Sequence, residues 1–298
     1  MYYIFVINGR EDYVGRIEDD LSVQLKGVDI KYEFYRTEGI GDGTRFVRIY
    51  CDLHRNVEVC FIACGGSGTA NEVASGIVGF EGKSMAYLAY GATNDLTKYY
   101  KDRDFTSLEK ILKGESAKID IIKANDSYSI NVINVGFDAY VAYLANKYLE
   151  EGINGVKAFR RGLRNSLLGH RLNNIRVNAD GVRLNRKYMF LCSIGNASWC
   201  GGQYNCSPNA RTDDGLMEVC MFKPMLLLVF LLILPKYTNG TYLNDKLSRR
   251  HLTYCQAKHI ELDSKDLIFI STDGEIVASS HFDIDILPEA VNLILPAK

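Results

Sequence analysis

A glycine-rich segment between a predicted strand and a predicted helix constrains the fold of this chain most. The segment runs from Cys64 to Val73 and includes Gly65-Gly66-Ser67-Gly68. Residues 57–63 before it are β-branched and aromatic, which is typical of a buried parallel strand, and Ala74 and Ile77 continue a helical spacing. A strand, a glycine turn and a helix in this order direct backbone N–H groups at an anion. We therefore predict a phosphate-binding turn, although a strand-to-helix turn without a ligand has the same local pattern.

Strands and helical patterns alternate over the first 120 residues. This alternation predicts an α/β domain with a parallel sheet and helices on its faces. Ligands of such sheets bind beyond the carboxyl ends of the strands. Asn8, Thr37 and the loops 65–72 and 91–95 all follow predicted strands, so we expect them to converge. The predicted strands are 2–7, 28–35, 57–63 and 85–90.

The second half of the chain is rich in short alternating strands. They predict a mainly antiparallel β-sandwich or barrel, interrupted by helices at 138–150 and 154–168. Asp180-Gly181 is typical of a two-residue hairpin turn. We place the domain boundary near residue 120, giving domains 1–120 and 121–298. The predicted strands are 118–124, 128–134, 172–179, 183–194, 216–222, 251–262, 266–271 and 282–287.

Charge and cysteine content narrow the possible functions. The 298 residues carry a net charge of −1, which gives no electrostatic case for a nucleic-acid partner. None of the eight cysteines forms a CxxC pair, so zinc binding has little support. The scattered cysteines and the absence of a basic, signal-like start lead us to expect a reducing cytosol.

One strongly apolar segment, Met225 to Leu234, lies between Pro224 and Pro235. Its ten residues are too few to span a bilayer as a helix. We expect a buried or half-buried helix that begins after the first proline. Contact of this segment with a lipid surface is the alternative, because the segment has no polar face of its own.

Several polar segments are candidates for chemistry, and each also has a plain structural explanation. Asn94-Asp95 suits a ligand or a capping turn. The loop 208–216 contains paired aspartates that suit a hard cation, or it is a solvated turn. Thr272 to Glu275 predicts a hairpin whose carboxylates include a possible general base. The histidines are isolated in sequence and are expected to be surface or core residues; they are His54, His170, His251, His259 and His281.

Taken together, these segments resemble the bacterial diacylglycerol kinase and sphingosine kinase-like lipid kinases of the YegS type. The resemblance extends over nearly the whole chain, and the order and spacing of the motifs are more specific than any one of them. The matching segments are Ile7-Asn8-Gly9-Arg10, Gly65 to Val73, Gly91 to Asp95, Ile194-Gly195-Asn196, Ser207 to Ala210, Asp213 to Leu216, Asp273-Gly274-Glu275 and Asp285 to Ala290.

The resemblance implies an N-terminal nucleotide-binding domain like those of NAD kinase and phosphofructokinase, a C-terminal β-sandwich and an active site in the cleft between them. It also implies transfer of phosphate from ATP to a lipid hydroxyl at a membrane surface with Mg²⁺. Glu275 would accept the hydroxyl proton, and Arg211, Asp214 and Leu216 would hold the metal. The residues implied in nucleotide binding are Asn8, Thr37, Gly65, Gly66, Ser67, Gly68, Thr69, Ala70, Asn71, Glu72, Ala92, Thr93, Asn94 and Asp95.

The sequence departs from the family pattern at two positions. The family's first loop is Gly-Gly-Asp-Gly-Thr, and Ser67 stands here in place of the aspartate. The second loop is Gly-Thr-x-Asn-Asp, and Ala92 stands in place of the threonine, with Thr93 one position later. A neutral hydroxyl does not supply the charge of a carboxylate to Mg²⁺. Besides an active lipid kinase, two hypotheses therefore stay open, a weakened nucleotide- or lipid-binding regulator and a kinase of a soluble acceptor.

Overall fold

The computed structural model describes residues 1–9, 11–153, 155–169 and 173–298. Arg10 and His170 lie outside the described residues, as do the first residue of the helix predicted at 154–168 and the first of the strand predicted at 172–179. The chain forms two compact units. The first comprises Met1–Asp120 together with Pro288–Lys298, and the second comprises Ile121–Leu287.

Helices and strands alternate through the first unit. Their bounds are β1 (Tyr2–Ile7), α1 (Glu11–Gln24), β2 (Lys31–Arg36), α2 (Asp42–Leu53), β3 (Val59–Gly65), α3 (Ser67–Ile77), β4 (Lys83–Ala89), α4 (Asp95–Tyr99) and α5 (Leu108–Leu112). The next strand, β5 (Glu115–Ala124), has residues in both units.

Strands dominate the second unit. Its elements are β6 (Ser127–Ser129), β7 (Val132–Gly136), α6 (Phe137–Glu150), α7 (Gly155–Gly169), β8 (Arg176–Ala179), β9 (Val182–Arg183), β10 (Leu191–Gly195), β11 (Trp199–Cys200), β12 (Tyr204–Asn205), β13 (Met217–Phe222), α8 (Leu227–Asn239), a 3₁₀ turn (Thr241–Asn244), α9 (Lys246–His251), β14 (Leu252–Ala257), β15 (His259–Thr272) and β16 (Glu275–Leu295). The last strand ends in the first unit.

The sheet of the first unit is parallel, as the sequence predicted. The order β2-β1-β3-β4 places Ile7 opposite both Arg36 and Cys64, so the strands end level with one another. All seven residues of β3 are buried, as expected for a strand covered on both faces. The sequence assigned 288–298 to the second half, but Leu293 of β16 pairs in parallel with Met85 of β4 and extends this sheet.

Several boundaries in the first unit differ from those expected from the sequence, and two of them have a clear local cause. The helical spacing in the sequence starts at Asn71, but the helix after the glycine turn begins at Ser67, because extended Gly66 serves as its N-cap and its carbonyl accepts the Ala70 N–H at 3.1 Å. Strand β2 begins at Lys31, three residues later than predicted. The reason is a turn after α1 in which the Val28 N–H donates to Leu25 O.

The second unit is an antiparallel β-sandwich, again as predicted. One path of strands runs β14-β13-β10-β7-β15-β16, and β8 and β9 form a hairpin beside β15. Asp180 and Gly181 both have positive φ in that hairpin, in agreement with the Asp-Gly turn expected there. The strand predicted at 128–134 is instead divided into β6 and β7, since the N–H groups between them donate to a side chain, Asp273.

The apolar segment after Pro224 forms the helix α8, which continues past Leu234 through Pro235 to Asn239. Its inner side packs on the aromatic core formed with Phe137 and Phe222. Within the described part of the chain, no helix combines the length and apolar character that crossing a membrane requires.

Candidate functional site

The glycine turn after β3 packs directly on the loop after β4. A Cβ on Gly91 would come within 2.2 Å of Gly66 Cα, and one on Gly66 would lie 3.1 Å from Thr93 O. A Cβ on Gly65 would lie 2.3 Å from Thr69 Oγ1. Packing within the protein thus accounts for three of these glycines. Gly68 differs, because nothing lies within 4 Å of the position of its Cβ.

The ends of β1 and β2 meet beside the same turn. Asn8 Nδ2 donates to Thr69 Oγ1 at 3.1 Å, which joins the loop after β1 to the first turn of α3. The Gly9 N–H donates to Thr37 Oγ1 at 3.1 Å. A Cβ on Gly9 would lie 1.7 Å from Thr37 O, so this approach requires glycine. The convergence of Asn8, Thr37 and the glycine turn expected from the sequence is present in the structure.

The first turn of α3 presents backbone donors at this edge. The Ser67 N–H donates to Thr93 O at 2.9 Å, and the Ala70 N–H donates to Gly66 O at 3.1 Å. The N–H groups of Gly68 and Thr69 lie between them, in the turn where a helix offers no carbonyl of its own. The first turn of α3 has no acidic residue of its own, so no side chain within that turn offsets the positive end of the helix dipole. This arrangement can bind an anion.

Ser67, the first residue of α3, contacts the second loop. It is 3% exposed, and its Oγ accepts the Asp95 N–H at 3.0 Å. The same Oγ lies 3.0 Å from Asp95 Oδ2 and 3.1 Å from Thr93 O, the two acceptors for its one proton. Ser67 therefore fastens the glycine turn to the start of α4, and a carboxylate lies directly beside it.

The remaining residues of the second loop fall into two groups. Asn94 closes the loop internally, because its Oδ1 accepts the Tyr87 hydroxyl at 2.6 Å and its Nδ2 donates to Gly91 O at 2.9 Å. Burial raises the pKa of Tyr87 far above its usual value, so this hydroxyl stays protonated. Ala92 and Thr93 are exposed at the tip of the loop.

Three of the residues that the resemblance implies in nucleotide binding lie further along α3. Ala70 and Asn71 are buried within the first unit. The Glu72 carboxylate accepts the Gly41 N–H at 3.1 Å and the Gly43 N–H at 2.7 Å. Because these amides belong to the start of α2, Glu72 caps that helix and offsets its dipole.

In the second unit, the predicted turn before Glu275 is a two-residue hairpin between β15 and β16. Asp273 and Gly274 both have positive φ, and Thr272 pairs with Glu275. The Asp273 carboxylate accepts Ser129 Oγ at 2.9 Å. It also accepts three backbone N–H groups, those of Ile130, Asn131 and Val132, at 2.8, 3.1 and 3.3 Å. Asp273 thus holds the hairpin against the segment between β6 and β7. Glu275, two residues after Asp273, is half-buried.

The implied metal loop is a compact turn. Asp214 Oδ1 accepts the Leu216 N–H at 3.1 Å, and Gly215 between them has a φ of 68°. The Arg211 side chain pairs with Asp213 at 3.2 Å. The donors implied by the resemblance, a carboxylate and two carbonyls, are hard oxygens of the type that Mg²⁺ prefers.

Two histidines that appear isolated in the sequence are paired with carboxylates in the structure. His259 Nδ1 lies 2.8 Å from Asp285 Oδ1, and His281 Nδ1 lies 2.7 Å from Asp263 Oδ1. Each carboxylate raises the pKa of its histidine. The strands β15 and β16 alternate histidine and acid at every second residue, and that period-2 pattern could have revealed this ladder from the sequence.

The second unit contains a buried acid, Asp138, that the sequence pattern does not indicate. The Tyr237 hydroxyl of α8 donates to Asp138 Oδ2 of α6 at 2.6 Å and lies 2.8 Å from Ser193 Oγ. Although Asp138 as a whole is only partly buried, its carboxyl is enclosed against these groups. Burial raises the pKa of Asp138 to about 6, and the bond from Tyr237 only partly offsets this.

The fold and the motifs define a lipid kinase of the diacylglycerol kinase class, and comparisons with known proteins agree. Residues 3–124 match the model of the diacylglycerol kinase catalytic domain. Residues 131–295 match the YegS C-terminal NAD kinase beta sandwich-like domain. The chain belongs to the YegS-type family of lipid kinases.

Individual relatives extend over nearly the full chain at low identity. A Serratia proteamaculans protein described as "probable lipid kinase YegS-like" is 26% identical over 98% of this chain and 93% of its own length. The diacylglycerol kinase of Bacillus subtilis is 23% identical over 80% of this chain and 78% of its own. A crystal structure of a diacylglycerol kinase from Bacillus anthracis superposes with a TM-score of 0.68 at 16% identity, covering 99% and 96% of the two chains. That last likeness supports the fold alone.

Proposed function

We propose that this kinase transfers the γ-phosphoryl group of ATP to a lipid hydroxyl with the aid of Mg²⁺. The main support for nucleotide binding is the open space beside Gly68 in the first turn of α3, where no atom lies within 4 Å of the Cβ position. Phosphoryl transfer depends mostly on positioning and on neutralisation of charge, so it requires backbone donors, a cation and a base near the acceptor oxygen. The acceptor would be a diacylglycerol-like, phosphatidylglycerol-like or sphingoid lipid at a membrane surface.

The first turn of α3 would bind the phosphates of ATP. The N–H groups of Gly68 and Thr69 would donate to phosphate oxygens, and the Thr69 hydroxyl is held beside them by Asn8. Thr37 and the exposed tip at Thr93 border the same turn. In this proposal Asn71, Glu72, Asn94 and Asp95 contribute by holding α2, α3 and the second loop in place.

The loop 211–216 would hold Mg²⁺ through the Asp214 carboxylate and the carbonyls of Arg211 and Leu216. The ion would neutralise charge on the phosphates. Because one oxygen of Asp214 already accepts the Leu216 N–H, the loop keeps its carboxylate in place in advance. Glu275 would take the proton of the lipid hydroxyl as that oxygen forms its bond to phosphorus and ADP departs.

Phosphorylation of a panel of lipids with radiolabelled ATP tests this proposal. The wild type should label at least one lipid class in the presence of Mg²⁺. The variant Glu275→Gln should lose transfer but bind ATP as the wild type does, since Glu275 contacts only the acceptor. Glu151→Gln is the matched control, because Glu151 lies on the surface just after α6 and outside the proposed site. Equal lipid labelling by wild type and Glu275→Gln would exclude Glu275 as the base.

A further inference from the structure

Helix α8 is apolar on both of its sides, and only one side packs against the protein. Phe230, Ile233 and Tyr237 face inward and are at most 2% exposed. The opposite side presents a stripe of leucines that we call the leucine face. Its members and their exposures are Leu227 at 42%, Leu228 at 70%, Leu231 at 42% and Leu232 at 59%.

The leucine face is more than scattered surface leucines. Its members recur at i, i+1, i+4 and i+5, so they form one continuous stripe along the helix. Leu226, the N-cap of α8, extends the stripe and is 77% exposed. A surface helix of a soluble protein ordinarily turns polar residues outward, and contiguous apolar patches mark binding surfaces. The fold of the second unit provides no covering element for these side chains within the described residues.

Basic residues adjoin the leucine face. From Val219 to His251 the sequence contains five Lys or Arg and a single acid, Asp245. That acid is paired with Lys236 and caps α9 through the Ser248 N–H. The Lys223 N–H donates to His251 O at 2.7 Å, which brings the end of α9 to the start of the apolar segment. The exposed Lys and Arg side chains of this segment are Lys223, Lys246, Arg249 and Arg250.

We propose that the leucine face and these basic residues form a docking surface for an anionic lipid bilayer. An apolar protein partner would cover the leucines but leave the basic side chains without counter-charge. Anionic headgroups satisfy both, because the leucines enter the acyl boundary while the cations remain at headgroup level. The 13 residues of α8 extend about 20 Å, which suits a helix lying in the interface plane and not one that spans it.

The inner side of α8 keeps this surface in place. Tyr237 hydrogen-bonds with both Asp138 and Ser193, and Phe230 packs at an angle against the rings of Phe137 and Phe190. Substitutions on the leucine face therefore leave the anchoring contacts intact. This proposal rests on the proposed lipid kinase function, because an enzyme whose acceptor lies in a membrane needs to bind that membrane. The test of membrane binding does not depend on catalytic turnover.

Flotation with vesicles in the absence of ATP tests the docking surface. The wild type should float with vesicles that contain phosphatidylglycerol, and much less with phosphatidylcholine alone. The triple variant Leu228→Ser, Leu231→Ser, Leu232→Ser should bind at least about tenfold more weakly, because each exposed leucine contributes apolar burial in the bilayer. The triple variant Lys223→Glu, Arg249→Glu, Arg250→Glu should lose the preference for the anionic vesicles.

Matched controls separate docking from general surface hydrophobicity and from catalysis. The double variant Val182→Ser, Leu267→Ser removes two residues that are each 64% exposed elsewhere in the second unit, and it should float like the wild type. Glu275→Gln should also float like the wild type, so a failed kinase and a failed docking surface give different results. Thermal unfolding of every variant verifies the fold.

Three outcomes would overturn the proposal. The first is a wild type that ignores phosphatidylglycerol vesicles, and the second is a leucine-face variant that floats equally well. The third is a wild-type dimer in light scattering that becomes monomeric only in the leucine-face variant, which would assign the surface to a second copy of the chain.

Discussion

Ser67 and Asp95 are joined by two contacts across the glycine turn. The Asp95 N–H donates to Ser67 Oγ, and Asp95 Oδ2 lies 3.0 Å from the same oxygen. The resemblance leads us to expect an aspartate at the position of Ser67, and the neighbouring Asp95 supplies a carboxyl group from the second loop instead. Asp95 is 4% exposed and is held by the turn itself. An acidic side chain is therefore present at this edge of the sheet despite the serine.

This contact predicts that introducing an aspartate at position 67 will not simply supply a missing charge. In Ser67→Asp a second carboxylate would lie against Asp95 in a buried site, where like charges repel. We expect a loss of about 1–3 kcal/mol in the free energy of unfolding and no gain in ATP turnover. Denaturant unfolding and a turnover assay measure both quantities.

The exchange variant Ser67→Asp, Asp95→Ser is the control for that experiment. It keeps one carboxylate and one hydroxyl at the contact and should recover most of the lost stability. A large rise in turnover in Ser67→Asp alone would contradict our interpretation and would support the hypothesis of a naturally weakened enzyme.

The glycines at this edge should separate into two classes. Gly91→Ala places a methyl group 2.2 Å from Gly66 Cα, and we expect it to destabilise the first unit by about 1–3 kcal/mol. Gly68→Ala meets open space and lies in a helix, so stability should be unchanged or slightly higher. Its methyl group would obstruct the proposed phosphate site, and loss of one backbone hydrogen bond would weaken ATP binding by about tenfold.

Calorimetric titration with ATP and thermal unfolding distinguish these two effects. Gly79→Ala is unsuitable as a control because Gly79 has positive φ, whereas Gly15→Ala adds a methyl group in open space on α1, outside the proposed site. If Gly68→Ala bound ATP as the wild type does, the first turn of α3 would not be the phosphate site.

How much of this architecture the sequence predicts depends on whether a feature is local. Periodicity predicts the parallel and antiparallel sheets, and Asp180-Gly181 predicts its hairpin, because each depends on nearby residues. The sequence does not predict that Gly91 is fixed by contact with Gly66, that Glu72 caps α2, or that Asp138 is buried, because the partners are distant in the chain. It also treats Met225 to Leu234 as one apolar run, since only packing decides which of its faces is buried.

The anchor at Asp273 makes a further prediction about Glu275. The Asp273 carboxylate accepts four hydrogen bonds, and Asp273→Asn replaces it with an amide. Because the amide nitrogen is a donor and not an acceptor, at least one backbone N–H would then face another donor. We expect a loss of about 2–3 kcal/mol in the free energy of unfolding. Because Glu275 follows directly after this turn, kcat should fall while the affinity for ATP stays the same. Lipid phosphorylation and ATP titration on the same preparation measure these effects.

Asp266→Asn is the matched control for the anchor, because Asp266 lies exposed on β15 away from the hairpin. It should retain wild-type stability and kcat. If Asp273→Asn retained wild-type kcat despite a loss of stability, the anchor would not position Glu275.

The buried pair of Asp138 and Tyr237 predicts a specific dependence of stability on pH. The pKa of Asp138 is raised from 3.8 to about 6 in the folded protein, so the folded state binds its proton more tightly than the unfolded state does. The resulting contribution to the free energy of unfolding, about 3 kcal/mol, is fully present below pH 3.8 and is lost as the pH rises through about 6.

Asp138→Asn removes this titration but keeps an oxygen that accepts the Tyr237 hydroxyl. The variant should therefore gain stability relative to the wild type between pH 4.5 and 7.5, as measured by urea unfolding at each pH. The titrations of His259 and His281 cancel in this difference because both proteins contain them. A difference between the two proteins that is constant across this range would show that Asp138 is not the buried acid of the second unit.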